Sequence, residues 1–419
     1  MIKNKEIILW GGFWRCFQIC EFMKIAQNDI KGIVLDNVDE IDNSVEFRKE
    51  LIISLDMMCE VVLSNENILV ISCDMNPATE ENKQQIAKNK GFFKKFVSNY
   101  DFHNNVELTF FCEHANQKYE ISFEEKMARW MDSYLSEVSF WNDDVARPEG
   151  TYWNHYKDRT SEKDFYCERL LPYVQKNSII LDVGCGICSQ YGDIYNGEKI
   201  NISGVDPLAA FYNRINRRSF KEYELGENIP NVKFGMFELL SYQFDTEYAD
   251  IIIIDNALDH CIDPVMAIIE CLKVLKTGGL LSTFHHVDEA YKALYSDLHQ
   301  WNISCDSEKN FIIWNQQNYI NLSELLGEYV EFELVISDKI AIETPFGGVM
   351  CNMKKKKIIP SDYYIKDQKK RVGIILDIMM LKLSDLEYAE KLIDTMHAHT
   401  YSEKSSWMIV DKVKHLLKA

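Results

Sequence analysis

Short apolar runs, each closed by a small or acidic residue and followed by an amphipathic stretch, recur through most of this chain. EIILW runs into Gly11-Gly12 and the helical FWRCFQICEFMKI. GIVL then ends at Asp36, and NILVIS leads to the charged, helix-competent TEENKQQIAKNKG. From residue 179 the pattern is stronger. IILDV turns through Gly184 and Gly186, INISGVD ends at Asp206, and VKFGMFEL is a short strand and turn. ADIIIID is apolar on both faces, as a buried parallel strand requires, and LLSTFHH follows a helix and the Lys276-Thr277-Gly278-Gly279 turn. Strand–helix alternation of this kind predicts parallel sheets with right-handed crossovers, and hence an α/β fold.

The most informative stretch is Ile179 to Gly192, IILDVGCGICSQYG. A buried strand carrying Asp182 feeds a turn whose missing Cβ atoms at Gly184 and Gly186 admit a ligand close to the backbone. Twenty-four residues on, Asp206 closes the second strand, where its carboxylate can accept hydrogen bonds from both hydroxyls of a ribose. That pair fits any nucleotide cofactor. The turn G-C-G-I-C-S is not the G-x-G-x-x-G of nicotinamide binding.

The glycine turn, the acidic second strand, the fourth strand ending at Asp255-Asn256 and the K-T-G-G turn before the fifth strand resemble, in order, the class I S-adenosylmethionine-dependent methyltransferases. The resemblance covers roughly residues 139–357. It implies a class I methyltransferase Rossmann-like sheet, preceded here by a smaller α/β module and followed by a C-terminal helical appendage. It also implies S-adenosylmethionine as cofactor, held by Asp182, Gly184, Gly186, Asp206, Pro207, Met236, Phe237 and Asn256. In the family the segment before the first strand folds over the cofactor as a lid, so Arg159 or Tyr156 is expected to meet the methionine carboxylate. Two departures bear on this: Cys188 stands where the family has a third glycine, and Met236 where it has an acidic residue. Met236 and Phe237 are therefore expected to pack on the adenine ring.

The organisation that follows is a Rossmann-like module over 1–130, a helical and aromatic linker and lid over 131–160, the methyltransferase domain over 161–357 and helices over 358–419. The first module has two readings, a dimerisation scaffold or a grip on the nucleotide or sugar end of a substrate. Phe13 and Trp14 stand where a phosphate-cradling turn would need small residues. A homodimer is the expectation under the first reading.

Candidates for chemistry lie beyond the carboxyl ends of strands four and five. His260 follows strand four, and His286 follows strand five with Asp288 and Glu289 nearby; His299 sits in the insert with Gln300, Trp301 and Trp314. Any of the three histidines can serve as general base, with His286 preferred. Asp255, Asp259 and His260 could bind a hard cation, but the same groups are explained without one, so no metal is expected. The aromatic and polar insert suits a hydroxylated ring, making a sugar hydroxyl the expected methyl acceptor, either on a nucleotide-activated sugar or on a polysaccharide precursor. A small amine, or a non-catalytic scaffold retaining the fold, are the alternatives.

Charge and composition narrow the partners. A net charge of −19 lacks the basic footprint that phosphates demand, so nucleic acid is excluded. Lys354–Lys357 is a local exception, read as a solvated strand end. No run is long and apolar enough for a membrane span, the start MIKNKEIILW is too short for a signal peptide, and the scattered cysteines form no paired framework. Cys185 and Cys188 are expected as small buried residues in a cytoplasmic protein.

Overall fold

The computed structural model describes residues 2 and 4–363 apart from 42–46, 75–76, 108, 111–122, 294, 307, 317 and 338–346, with a few positions between 373 and 391. The helices expected over 358–419 lie almost wholly outside the described residues.

Packing divides the chain into two compact units, the first spanning Met1–Lys118. Strands β1 (Glu6–Gly11), β2 (Asp29–Leu35), β3 (Ile68–Cys73) and β4 (Phe96–Val97) form a parallel sheet in the order β2-β1-β3-β4. The crossovers include α1 (Phe13–Ile25), α2 (Leu55–Ser64) and α3 (Pro77–Lys90). Ser54 caps α2, its hydroxyl accepting from the Met57 amide at 3.2 Å, which satisfies one of the unpaired donors of the first turn. Ile8, Trp10, Val34, Met58, Val62 and Val70 pack the core of this unit.

The second unit begins at Tyr119. Helix α4 (Phe123–Phe140) belongs to it, as does α5 (Trp153–Thr160). Its sheet is built from β5 (Ile179–Val183), β6 (Asn201–Asp206), β7 (Lys233–Phe234), β8 (Ala249–Asp255) and β9 (Leu275–His286). Helix α6 (Ala209–Glu222) links β6 to β7, and α7 (Pro264–Val274) links β8 to β9. After β9 comes a small antiparallel sheet of β10 (Asn302–Cys305), β11 (Phe311–Trp314) and β12 (Tyr319–Asn321). Strands β13 (Val330–Ser337) and β14 (Gly348–Lys355) close the main sheet, whose order is β13-β14-β9-β8-β5-β6-β7. All its pairings are parallel except β14, which runs antiparallel to both β9 and β13.

The order is that of the Rossmann-like sheet the resemblance implies, with the last strand inserted backwards beside the fifth. Its central strand is covered on both faces: Ile252 and Ile254 pack in one core with Ile268 and Leu272 of α7, and Ile251 and Ile253 in another with Phe165, Cys167, Leu170 and Val174 of the segment before β5. Helix α7 starts sharply, with Asp263 accepting from the Met266 amide at 3.0 Å and Pro264 supplying a φ already suited to the first turn. Of the lysines at the end of β14, Lys355 is buried and Lys354, Lys356 and Lys357 are exposed. Buried Lys355 pairs with Glu247 at 2.6 Å, and Lys357 pairs with Glu328.

Candidate functional site

The strand order reverses between β5 and β8, and ligands of open α/β sheets lie in the crevice outside such a switch point. A cavity of about 500 Å³ is found there, within the range of cofactor pockets. Gly184, Cys185 and Gly186 form part of its wall, with Asp206, Pro207, Met236, Phe237 and Asn256.

The turn has to be glycine at two places. Gly184 has φ +74° and Gly186 φ +63°, in the left-handed region. A Cβ on Gly184 would sit 2.5 Å from the Phe237 ring and 2.6 Å from Ala257, and one on Gly186 would sit 2.6 Å from Trp141. All three neighbours line the cavity, so the turn needs glycine to pack this closely against the cavity wall.

Asp206 is held by the turn it faces. One carboxylate oxygen accepts from the Gly186 amide at 3.0 Å and the other from the Leu208 amide at 2.8 Å. Each oxygen keeps a further lone pair for a hydroxyl. Burial pushes its carboxyl up to about 7, although the Leu208 and Gly186 amides pull the other way. Asp182 lies beneath the turn, 3 % exposed and outside the cavity wall, and burial raises it likewise to about 7 against a hydrogen bond from Ser189.

Of the two lid candidates, Arg159 reaches the cavity and Tyr156 does not. The Arg159 guanidinium lies 5.2 Å from the Trp141 ring centre and 3.5 Å from the Cys185 carbonyl, beside the glycine turn. Tyr156 is fully buried, and its hydroxyl donates to Asn216 at 2.9 Å, which makes it a packing residue of α5. Trp141 is fixed by donation from Nε1 to Glu137 at 2.7 Å. Asn256, at φ +49°, is pinned to β9: its side-chain oxygen accepts from the His286 amide at 3.1 Å.

The histidines separate. His260 and His299 both line the cavity and stand together, His260 Nε2 at 3.2 Å from His299 Nδ1. His299 Nδ1 is also 2.6 Å from Asp259, which is 2 % exposed. Burial pulls His299 down, but its hydrogen bond to Asp259 and that residue's charge push it up to about 9. Burial raises Asp259, and the positive charges of His260 and His299 outweigh it, leaving the carboxyl below its ordinary range. His286 is not part of the cavity wall; its ring packs edge-on against Phe284, and Nδ1 is buried with no partner among the described residues. Its neighbour His285 is fully enclosed, and burial drives its imidazole down to about 3.

Two further expectations change on the structure, whereas Cys185 and Cys188 are buried as expected. Asp255 does not join Asp259 and His260. It is bound by Arg169, by the Tyr191 hydroxyl and by Gln190 at 2.7 Å, a buried network that braces the end of β8. Trp301 and Trp314 are 3 % and 0 % exposed and lie outside the cavity wall, because the insert folds as the β10–β12 sheet and turns its aromatics into the core. Cys185 and Cys188 are buried free thiols, both pushed up by burial. The sequence reading did not single out Glu137 or Asp297, which also line the cavity, as does Glu289, expected only as a neighbour of His286. Only their position next to predicted site segments could have flagged them.

Residues 181–283 match the family described as a methyltransferase domain. An uncharacterised methyltransferase of Schizosaccharomyces pombe is 30 % identical over 160 residues, covering 36 % of this chain and 49 % of that protein. The chain thus spans about half the length of the curated relative it matches. Similar solved structures include a Methanosarcina mazei S-adenosylmethionine-dependent methyltransferase (19 % identity, 46 % of this chain and 100 % of that one, TM-score 0.29). Another is the Burkholderia thailandensis 1,6-didemethyltoxoflavin N1-methyltransferase (13 % identity, 57 % and 93 %, TM-score 0.32). The β5–β9 part of the sheet and the glycine turn lie within or beside the stretch, residues 181–283, that matches a methyltransferase domain.

Proposed function

We propose that the protein is an S-adenosylmethionine-dependent methyltransferase acting on a hydroxyl of a small, polyhydroxylated acceptor, a sugar being the leading case. The observation that carries the reading is the glycine cradle with Asp206 facing the same cavity. When bound, the cofactor supplies an electrophilic methyl group on a sulfonium. The chain's own work is then alignment, which can be worth many orders of magnitude in rate, and management of the acceptor's proton.

Asp206 takes the ribose hydroxyls, Met236 and Phe237 flank the adenine, and Arg159 meets the methionine carboxylate. Acceptor activation belongs at Asp259, His260 and His299, because these imidazoles reach the cavity and that of His286 does not. A carbohydrate acceptor is supported by the polar groups of the wall, among them Glu137, Glu289 and Asp297 beside Trp130 and Trp141. A nucleotide-activated sugar or polysaccharide precursor places the enzyme in the cytoplasm. The helices among the described residues include none long and apolar enough to cross a membrane. For the first unit we favour a scaffold or dimerisation role.

The same carboxylates favour a second reading, a small cationic amine as acceptor, since they complement positive charge. Incubating the full chain with S-adenosylmethionine and separate panels of nucleotide sugars, polyols and amines, read by S-adenosylhomocysteine release, distinguishes the two. Turnover on amines alone would overturn the sugar reading.

A further inference from the structure

Three donor atoms converge beside the cavity in a way that alignment of a cofactor does not require. His260 Nε2, His299 Nδ1 and Asp259 Oδ2 form a triangle with edges of 3.2, 2.6 and 3.4 Å. Two chain segments supply it: the turn after β8 carries Asp259 and His260, and the insert before β10 carries His299. They are tied at the backbone, the Gln300 amide donating to the Asp259 carbonyl at 3.0 Å, while Trp130 Nε1 holds the His260 carbonyl at 3.0 Å. The donors are thus placed by a rigid frame.

Hydrogen bonding alone leaves this cluster incomplete. His299 Nδ1 faces both His260 Nε2 and Asp259 Oδ2, and a single ring N–H directed at the close carboxylate leaves the imidazole pair poorly served. Asp259 Oδ1, in a side chain 2 % exposed, has no hydrogen-bond partner among the described residues, and neither has Oε2 of Glu289, which lines the same cavity. A buried carboxylate oxygen without a partner calls for a cation or an ordered water.

We propose that Asp259, His260 and His299 form a binding site for a divalent first-row transition metal ion at the cavity, with Glu289 beside it. Two imidazoles and one carboxylate suit zinc, iron, cobalt or manganese, whereas magnesium and calcium prefer all-oxygen sets. Donors bound tetrahedrally at about 2.0–2.1 Å lie about 3.3–3.4 Å apart, so two edges of the triangle already have the spacing. The third, the His299–Asp259 hydrogen bond, must open by about 0.7 Å to reach that geometry. An ion there keeps positions open towards the cavity, where an oxygen of the acceptor could be held and polarised. This role rests on the methyltransferase reading; occupancy of the site by metal does not.

The test uses the full chain, stripped with a chelator and titrated with Co²⁺ followed by visible d–d absorption, then with Zn²⁺ as competitor. One equivalent should bind, with Zn²⁺ displacing Co²⁺. Asp259→Asn, His260→Ala and His299→Ala should each weaken binding at least about tenfold. Circular dichroism checks folding, and His299→Ala, with the most exposed of the three side chains, keeps the test valid should His260→Ala unfold. Absence of binding at millimolar Co²⁺ and Zn²⁺, or unchanged affinity in folded variants, would overturn the site. Calorimetry with S-adenosylmethionine on the same samples keeps the two ideas apart. Metal without cofactor binding would sink the methyltransferase reading alone, and cofactor without metal would sink the site alone.

Discussion

Gly11-Gly12 in the first unit and Gly184-Cys185-Gly186 in the second each follow a buried strand, and each precedes an aspartate at the end of the next strand, Asp36 or Asp206. Only the second pair borders the cavity. In the second unit both glycines have positive φ and a cavity wall where a Cβ would go. In the first, Gly12 has φ −66° with open space at its Cβ, and a Cβ on Gly11 would sit 2.4 Å from the Cys73 carbonyl oxygen. Asp206 keeps free lone pairs, whereas Asp36 is paired with buried Lys83 at 2.5 Å, and the same ammonium also holds Asp74 at 2.7 Å. Phe13 fills the helix start from within. The lesson is that a glycine turn with a distant acid marks a nucleotide site only where the turn borders a cavity and the acid has no cationic partner.

The largest contrast should come from the glycines themselves. Gly184→Ala places a methyl group against Phe237 and Ala257 at a φ that costs about 1–2 kcal/mol for an L-residue. Cofactor affinity should fall by at least about a hundredfold, roughly 2.7 kcal/mol, by calorimetry. Gly12→Ala should leave affinity and melting temperature unchanged, and a comparable loss there would break the distinction.

The acids come next. Asp206→Ala should raise the dissociation constant for S-adenosylmethionine by about ten- to several-hundredfold, since bonds to a charged acceptor contribute about 1.5–3 kcal/mol each and do not fully add. Lys83→Met leaves Asp36 and Asp74 facing one another without their cation, so the first unit should lose thermal stability in calorimetric scans. Cofactor affinity should not follow.

A smaller effect concerns pH. The Asp206 carboxyl is raised to about 7 in the free protein. Its contribution to stability is therefore present at low pH, below its unfolded range, and lost as pH rises through about 7. Ribose hydroxyls donate best to the ionised form, so affinity should rise between pH 6 and 8 with release of a proton, read by calorimetry in buffers of different ionisation heat. Asp182 titrates in the same window, and Asp206→Asn should remove only the Asp206 part. A pH-independent affinity in the wild-type chain would contradict the assignment.

What was legible beforehand was local. The apolar run of β8, the turn at Gly184 and the acid at Asp206 are dictated by backbone sterics and periodicity, so short stretches suffice to read them. The meeting of His260 with His299, thirty-nine residues on, depends on how the insert folds, and no period announces it. His286 was misplaced for a related reason. Side chains alternate across a strand, and near the end of β9 only the register with β14 decides which residue faces the acceptor. Trp301 and Trp314 show the limit of composition, since an aromatic-rich insert reads alike whether its rings bind a sugar or fill a core.

The central claim is that the second unit's turn holds S-adenosylmethionine and the first unit's does not. Isothermal titration of the full chain with S-adenosylmethionine, repeated on Asp206→Ala and Asp36→Ala, addresses it directly. One equivalent should bind to the wild-type chain, weakly to Asp206→Ala and with unchanged affinity to Asp36→Ala. Absence of binding at millimolar cofactor, or loss of binding in Asp36→Ala rather than Asp206→Ala, would contradict it.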